Sequence, residues 1–323
     1  METSTSNNPR ALEEIRRDNG AVQCKKAFRL AWDENEQKAI DMLNDPGMSF
    51  GTFIVLIPEI RSLGLKDQLN EKGAAALGIV DEILENPSDT EGYLAAPRDS
   101  VHSILRWMVD TADLSYTDDN YEQILDICVS ILLNLYQDEE ILPLVDSMIF
   151  TRAKNGRNIH YLAWAFFRVQ SPRCLRLTAE HLCSSDPNES QTAYQLLRLD
   201  PSVKENQQAQ YQKYISWMAE NDPFLYFTEE SMQFSGKPQI CKVDWERKYL
   251  QKENAANGRL SSKDVTPEET TLLQQFRTLE RNQRHRLADH SHQMRRRDAE
   301  QWKKWLYTAP EMQLKALSHE TEV

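Results

Sequence analysis

"CLRLTAEHLCSSDPNESQTAYQLLRLDPS", residues 174–202, decides how the chain folds. Leu175, Thr178, Ala179 and Leu182 fall on one helical face. Proline punctuates the stretch: Ser171-Pro172, Asp186-Pro187 and Asp200-Pro201 recur at spacings of 15 and 14 residues. Ser or Asp before Pro opens a helix. The side-chain oxygen caps free backbone N–H groups, and proline's missing donor is not needed in the first turn. Asp186 with Glu189 also matches a reciprocal capping pair, with Asp in the Ser/Thr place. The stretch predicts short helices meeting at tight corners.

A metal or nucleophile cluster is the competing reading, since Cys174, His181 and Cys183 lie close in sequence. Spacing rules against it. The two cysteines are nine residues apart, about 180° around a helix and roughly 13 Å along it. His181 and Cys183, two apart, point away from each other. No metal ligands are assigned.

The proline-marked helices resemble the helix pairs of HEAT-like repeat proteins over roughly residues 170–220. The resemblance implies a stacked α-helical scaffold used for protein binding, without catalysis.

Upstream, helix follows helix without keeping that period. Asn8-Pro9 opens a helix that Gly20 stops, and "AVQCKKAFRLAW" and "ENEQKAIDMLND" follow. "SFGTFIVLIPEIRSLG" should kink or split at Pro58. A long helix closes at Asn86-Pro87, and residues 98–113 and 119–136 supply two more, the second apolar around much of its circumference and therefore central. With only 10 glycines and 13 prolines in 323 residues, few and long elements are expected. The expected fold is all-α: an irregular, α-solenoid-like helical-repeat body with a long C-terminal helix.

Net charge is −12 and unevenly spread. Residues 239–323 hold 16 Lys/Arg against 13 Asp/Glu, a balance of +3, whereas the first 238 hold 22 against 37, a balance of −15. The chain is accordingly divided into an acidic body (1–237), an irregular linker with a short helix (238–265) and a basic C-terminal arm (266–323). The five cysteines are scattered and lack a CxxC pair, which predicts reduced thiols. "METSTSNNPR" lacks the pattern of a signal peptide, and the longest uncharged run, between Asp45 and Glu59, is too short to span a bilayer. A cytoplasmic protein without membrane contact is expected.

In the arm, Thr266, Pro267 and Glu269 make a strong helix start, and no breaker follows until Pro310. That predicts one helix of about 40 residues, roughly 60 Å long. Between Glu280 and Gln301 only Leu287, Met294 and two alanines are apolar, so its middle should be solvent-exposed. Trp302, Trp305 and Leu306 then form an end that should dock, on the chain's own body, on a protein partner or on another copy of the chain. Phe224, Tyr226 and Phe227 either cap their own core or add to that contact set. Arg277, Arg281, Arg284 and Arg295 share one helical face, while Arg286, Arg297 and Lys304 share the opposite one. With Arg296 and Lys303, Arg277, Arg281, Arg284, Arg295, Arg297 and Lys304 are the candidate contacts to an anionic surface. The two-sided charge fits acidic protein surface better than a phosphate track. His285, Asp289 and His292 also share a face, read as solvated rather than metal-binding.

No phosphate-cradling Gly-rich loop, GxSxG elbow or HExxH occurs, so no catalytic residues and no cofactor are assigned. Asp99 and His102 could pair as base and orienter, although a capping Asp near a surface His is commoner. The expected function is a non-catalytic scaffold or adaptor acting through protein contacts. The alternatives are a nucleic-acid-associated protein using the basic arm, and an all-α enzyme.

Overall fold

The computed structural model describes residues 11–85, 92–94, 98–116, 118–200, 206–228, 230, 240–252 and 259–320. Among these, the chain forms sixteen α-helices and one two-stranded antiparallel sheet. The all-α architecture expected from the helical spacing is the one that forms. No described helix is long and apolar enough to cross a membrane. Asn8, Pro9, Asn86, Pro87 and Pro201 lie outside the described residues.

Two compact units divide at Val169 and Gln170, inside the stretch that the sequence groups as one acidic body. Charge follows this division. Residues 1–169 hold 16 Lys/Arg against 28 Asp/Glu, a balance of −12, and residues 170–323 hold 22 against 22. The whole net charge belongs to the first unit.

The first unit comprises α1 (Leu12–Glu34), α2 (Glu36–Leu43), α3 (Phe50–Ser62), α4 (Glu71–Glu85), α5 (Asp99–Asp110), α6 (Asp119–Asn134), α7 (Leu142–Lys154) and α8 (His160–Arg168). At Gly20, where a helix stop is expected, the backbone leaves the helical region (φ 84°, ψ 173°), and α1 is two helical stretches that meet at a kink there. Pro58 does not split α3. Phe50, Phe53, Leu56, Ile57 and Ile60 of that helix are all buried. Burial at about 1.5–3 kcal/mol per large side chain outweighs the roughly 3 kcal/mol of an interior proline. As its apolar circumference predicts, α6 is central: it packs on α5 and α8 and buries Ile124, Leu125, Cys128, Val129, Leu132 and Leu133.

A polar network ties α1, the start of α3 and the turn before α6. The Glu13 carboxylate accepts from the Ser49 hydroxyl (2.5 Å), the Ser49 N–H (3.2 Å) and the Thr52 hydroxyl. Arg16 donates to Thr52 Oγ1 (2.6 Å) and pairs with Asp113. Glycine is required at position 51, where an added Cβ would lie 2.9 Å from Asp113 Cβ.

The second unit begins with α9 (Pro172–Glu180) and α10 (Pro187–Leu196), joined at the expected corner. Asp186 caps α10, accepting from the N–H groups of Asn188 (2.9 Å) and Glu189 (3.2 Å). The reciprocal half of the pair differs from expectation. Glu189 turns instead to the Ser184 hydroxyl (2.6 Å), and the Asp186 N–H donates to Ser184 Oγ. Ser171 makes no side-chain cap bond. Next come α11 (Gln207–Asn221), β1 (Leu225–Phe227), β2 (Cys241–Val243) and α12 (Trp245–Leu250).

The arm is not one long helix. It forms α13 (Pro267–Thr278), α14 (Arg281–Arg297), α15 (Ala299–Leu306) and α16 (Pro310–Glu320). Glu280 and Asp298 take extended backbone and restart the helix. Asp298 accepts from the N–H groups of Glu300 and Gln301 (both 2.9 Å), and Gln283 accepts from the N–H of Glu280 (3.0 Å). Polar caps can thus break a helix without glycine or proline.

Because the arm folds back, its middle is not exposed. Leu287, Ala288 and Ser291 are buried, and α14 packs on α12. The core of this unit gathers Tyr249, Leu250, Leu272, Leu273, Phe276 and Leu287 with Trp302 and Leu306. Tyr249 stacks on Phe276 with ring centroids 4.4 Å apart and donates its hydroxyl to Gln313 (3.0 Å). Burial pushes that phenol up to about 12. Ser291 donates to the Tyr249 carbonyl (2.6 Å) and accepts the Trp302 indole N–H (2.8 Å), so this buried hydroxyl is satisfied twice.

Candidate functional site

A cleft of about 720 Å³ opens in the second unit, a size at which ligand and peptide sites occur. Its walls come from α10, α11, β2, the start of α12 and the first turn of α14. The consecutive residues Ile240 to Asp244 all line it, so β2 runs along the cleft rather than turning one face to it.

Aromatic rings supply flat apolar wall: Trp217 from α11, Tyr226 from β1 and Trp245 from α12. Trp245 stacks on His285 at 3.8 Å, and the Arg259 guanidinium lies 5.4 Å from the centre of the Tyr226 ring. Burial, then the nearby Arg281 and Arg284, hold His285 below its ordinary value despite Asp289, so this ring is neutral at neutral pH.

Six cations line the cleft: Arg198, Lys213, Lys242, Arg259, Arg281 and Arg284. Three acids accompany them, Asp200, Asp244 and Glu246. Asp244 is buried as the cap of α12, accepting from the N–H groups of Glu246, Arg247 and Leu260. Glu246 pairs with Arg277 at 2.7 Å. Lys242 reaches Glu230 at 3.3 Å. Arg198, Arg281 and Arg284 have no ion pair among the described residues, and the Arg284 Nε is buried without a hydrogen-bond acceptor. A buried donor without a partner is costly and rare, which singles out Arg284 as a group lacking an acceptor.

Arg198 adds a second irregularity. It follows α10 with φ 59°, in the left-handed region that glycine usually occupies just past a helix end. Arginine there costs about 1 kcal/mol relative to glycine, yet it puts a guanidinium on the cleft wall.

Among the described residues that line the cleft, no nucleophile hydrogen-bonds a base. Burial pushes the Cys241 thiol up to about 11 and raises the Tyr214 phenol as well, so both stay protonated. The arrangement can hold anions and flat or apolar groups.

The sequence-derived candidates distribute unevenly. Arg281, Arg284 and Tyr226 meet in the cleft. Trp302 and Leu306 are buried in their own unit's core, and Trp305 is half-buried with its ring 6.1 Å from Tyr249. Phe224 and Phe227 are buried too. These five side chains are therefore spent internally, because the arm folds back instead of projecting. Arg277 is engaged by Glu246, Arg295 lies over Trp302 at 4.9 Å, and Lys303 pairs with Glu300 at 3.0 Å. Arg296, Arg297 and Lys304 are exposed away from the cleft.

The His285, Asp289 and His292 face is half-buried and packs against α12. Asp289 pairs with the buried Lys248 at 2.5 Å, and His292 Nδ1 lies 3.0 Å from Gln251 Oε1. Lys248 also donates to Asn221 (2.8 Å), so a buried cation is satisfied on two sides. Asp99 and His102 are not a pair. His102 Nε2 lies 2.9 Å from Asp138, which also takes Arg106. Cys174 is fully buried, while Cys183 is partly exposed beside Gln208.

Sequence reasoning missed Trp217, Trp245, Arg198, Lys213, Lys242 and Arg259. One signal was available. "CKVDW", residues 241–245, alternates at period two, the mark of a strand inside the irregular linker. Comparison with known protein families, with characterised proteins and with solved structures finds no match to this chain.

Proposed function

We propose that this chain is a non-catalytic scaffold or adaptor that works by protein contact, with the cleft of the second unit as its docking surface. The observation that carries this reading is the set of cations without ion pairs, Arg198, Arg281 and Arg284, placed beside half-exposed rings in one concave surface. Interfaces concentrate their energy in Arg, Trp and Tyr set in pockets, which is the composition here. The short, cornered helices α9 and α10 fit the HEAT-like stacking that such scaffolds use, and the free thiols fit a cytoplasmic protein.

Cations and rings would equally serve a single-stranded nucleic acid. The charge balance favours protein: the second unit is neutral overall, with 22 Lys/Arg against 22 Asp/Glu, so its unpaired cations are a local cluster that suits a short segment with a few acids better than an extended polyanion, which needs a continuous track of charge.

Arg198 supplies the test. Arg198→Gly removes a cleft cation and relieves the left-handed backbone at once. Thermal stability should hold or rise by up to roughly 1 kcal/mol, while capture of a partner from nuclease-treated lysate of the source cells weakens. Arg281→Glu with Arg284→Glu should abolish capture. Retention of the same protein by that double variant, or recovery of nucleic acid as the bound species when nuclease is omitted, sinks the reading.

A further inference from the structure

We propose that the cleft takes an extended peptide segment as an added strand on the free edge of β2, with acidic side chains reaching Arg281, Arg284 and Arg198 and an aromatic side chain set among Trp217, Tyr226 and Trp245. The proposal rests on the docking reading above and specifies how the partner binds.

The backbone geometry comes first. β1 and β2 pair with Tyr226 opposite Lys242. Flanking bonds run from the Thr228 N–H to the Ile240 carbonyl and from the Asp244 N–H to the Phe224 carbonyl, both 2.9 Å. Bonded pairs alternate in an antiparallel ladder, so Lys242 spends its backbone groups on β1. Cys241 and Val243 must then turn their N–H and C=O groups the other way. Neither makes a backbone hydrogen bond to any other described element. Both line the cleft and both are only half-buried. An open strand edge along the floor of a cleft is the geometry of strand addition, in which main-chain bonds supply affinity and alternate side chains supply specificity.

Charge and shape then define the segment. Arg281 and Arg284 stand one turn apart on α14, and Arg198 reaches the cleft from the turn after α10. Side chains of an extended peptide alternate every residue, so acids at every second position can face these cations. The interleaved positions meet the aromatic walls. Nucleic acid would use the same rings and cations, but it has no amide row to match the outward groups of Cys241 and Val243.

A randomised octapeptide library displayed against the full-length protein tests this. Expected is enrichment of Asp or Glu at alternating positions with Tyr, Phe or Trp between them. The selected peptide is then synthesised in two further forms, N-methylated at alternate residues in either phase. One phase should lose at least roughly tenfold in affinity and the other little, because only one set of amides faces β2. Val243→Pro removes an outward N–H without touching the β1 ladder and should weaken the unmodified peptide to a similar degree. A circular-dichroism melt identical to that of the parent protein confirms that this variant still folds, and the N-methyl series needs no variant at all. If an acidic peptide binds and Arg281→Glu with Arg284→Glu removes it, yet neither N-methyl phase matters, docking stands and strand addition is wrong. If the library yields no binder while a single-stranded RNA oligonucleotide or AMP binds in the cleft, both readings are overturned.

Discussion

The two units solve the same folding problem with different polar chemistry. In the first, helices are pinned by carboxylates that accept from hydroxyls and a guanidinium: Glu13 with Ser49 and Thr52, Arg16 with Asp113. In the second, the pinned groups are basic. Lys248 is buried between Asn221 and Asp289, and His285 and His292 are wedged against α12. The first unit carries all of the net charge and pairs Arg16 fully within its carboxylate network, while the neutral second unit gathers along one cleft cations that nothing described neutralises. Net charge is therefore a poor guide to where an anion would bind. What matters is which side chains the fold leaves without a partner.

The largest effect expected on this contrast comes from the second unit's core. Phe276→Ala removes the ring on which Tyr249 stacks and should cost about 3–5 kcal/mol. Hydrogen exchange followed by mass spectrometry should show protection lost across α12 to α15 and retained in α3 and α6. Equal loss in both halves would mean that the units do not unfold separately.

Arg16→Leu strikes the first unit in the mirrored way. It leaves Asp113 and Glu13 half-buried without their cation, at a cost of about 2–3 kcal/mol. Urea denaturation measures it, and the exchange pattern should be the reverse of the Phe276 variant. A change below about 0.5 kcal/mol would show that the hydroxyls alone hold Glu13.

Acid should separate the units by sign. His292, like His285, is held below its ordinary 6.5, by burial and then by Lys248 and Arg296. A base with a lowered folded pKa binds fewer protons folded than unfolded, so its stabilisation is full above pH 6.5 and declines as pH falls through the lowered value. Asp126 in the first unit runs the other way. Burial, only partly offset by Arg152, pushes it up to about 6 from 3.8, so its contribution is full below pH 3.8 and is lost as pH rises through about 6. Burial also acts to raise Glu13 and Asp113, but hydrogen bonds from Ser49 and Thr52 to Glu13, and from Ser115 and Arg16 to Asp113, outweigh it. Both carboxyls lie below their ordinary 4.5 and 3.8, and their stabilisation is lost only as pH falls through those lowered values. Between pH 6.5 and 4.5, exchange protection should fall in α12 and α14 while holding or rising in α6. A decline confined to α6 would contradict these assignments.

How much of this was legible in the sequence differs by element. Helical spacing gave the all-α fold, and the apolar circumference of residues 119–136 gave its central helix. Where the sequence misled, the cause was a partner far along the chain. The arm looked exposed because Ala288 and Ser291 are poor in apolar area, yet small residues are what allow α14 to approach α12 closely. Trp302 looked like a docking end because nothing local explained it, and its acceptor, Ser291, sits one helix away. The cleft was half legible. Arg281, Arg284 and Tyr226 were singled out as charge and ring, but their meeting depends on β2, which three residues of alternation announce only faintly.

The smallest effect discriminates between the two proline corners that first revealed the fold. From sequence they are equivalent: Ser171-Pro172 and Asp186-Pro187 each place an oxygen before a proline. In the fold they are not. Asp186 accepts from two N–H groups of α10, whereas the Ser171 hydroxyl accepts from none of α9. Asp186→Ala should therefore cost about 1 kcal/mol, the usual worth of a helix cap. Proline at the first position and the extended backbone remain in both variants, so the difference isolates the side-chain bond. Ser171→Ala should change stability by less than about 0.3 kcal/mol. Paired thermal melts resolve this gap. Equal losses at the two sites would mean that the proline geometry, rather than the carboxylate, holds the corner.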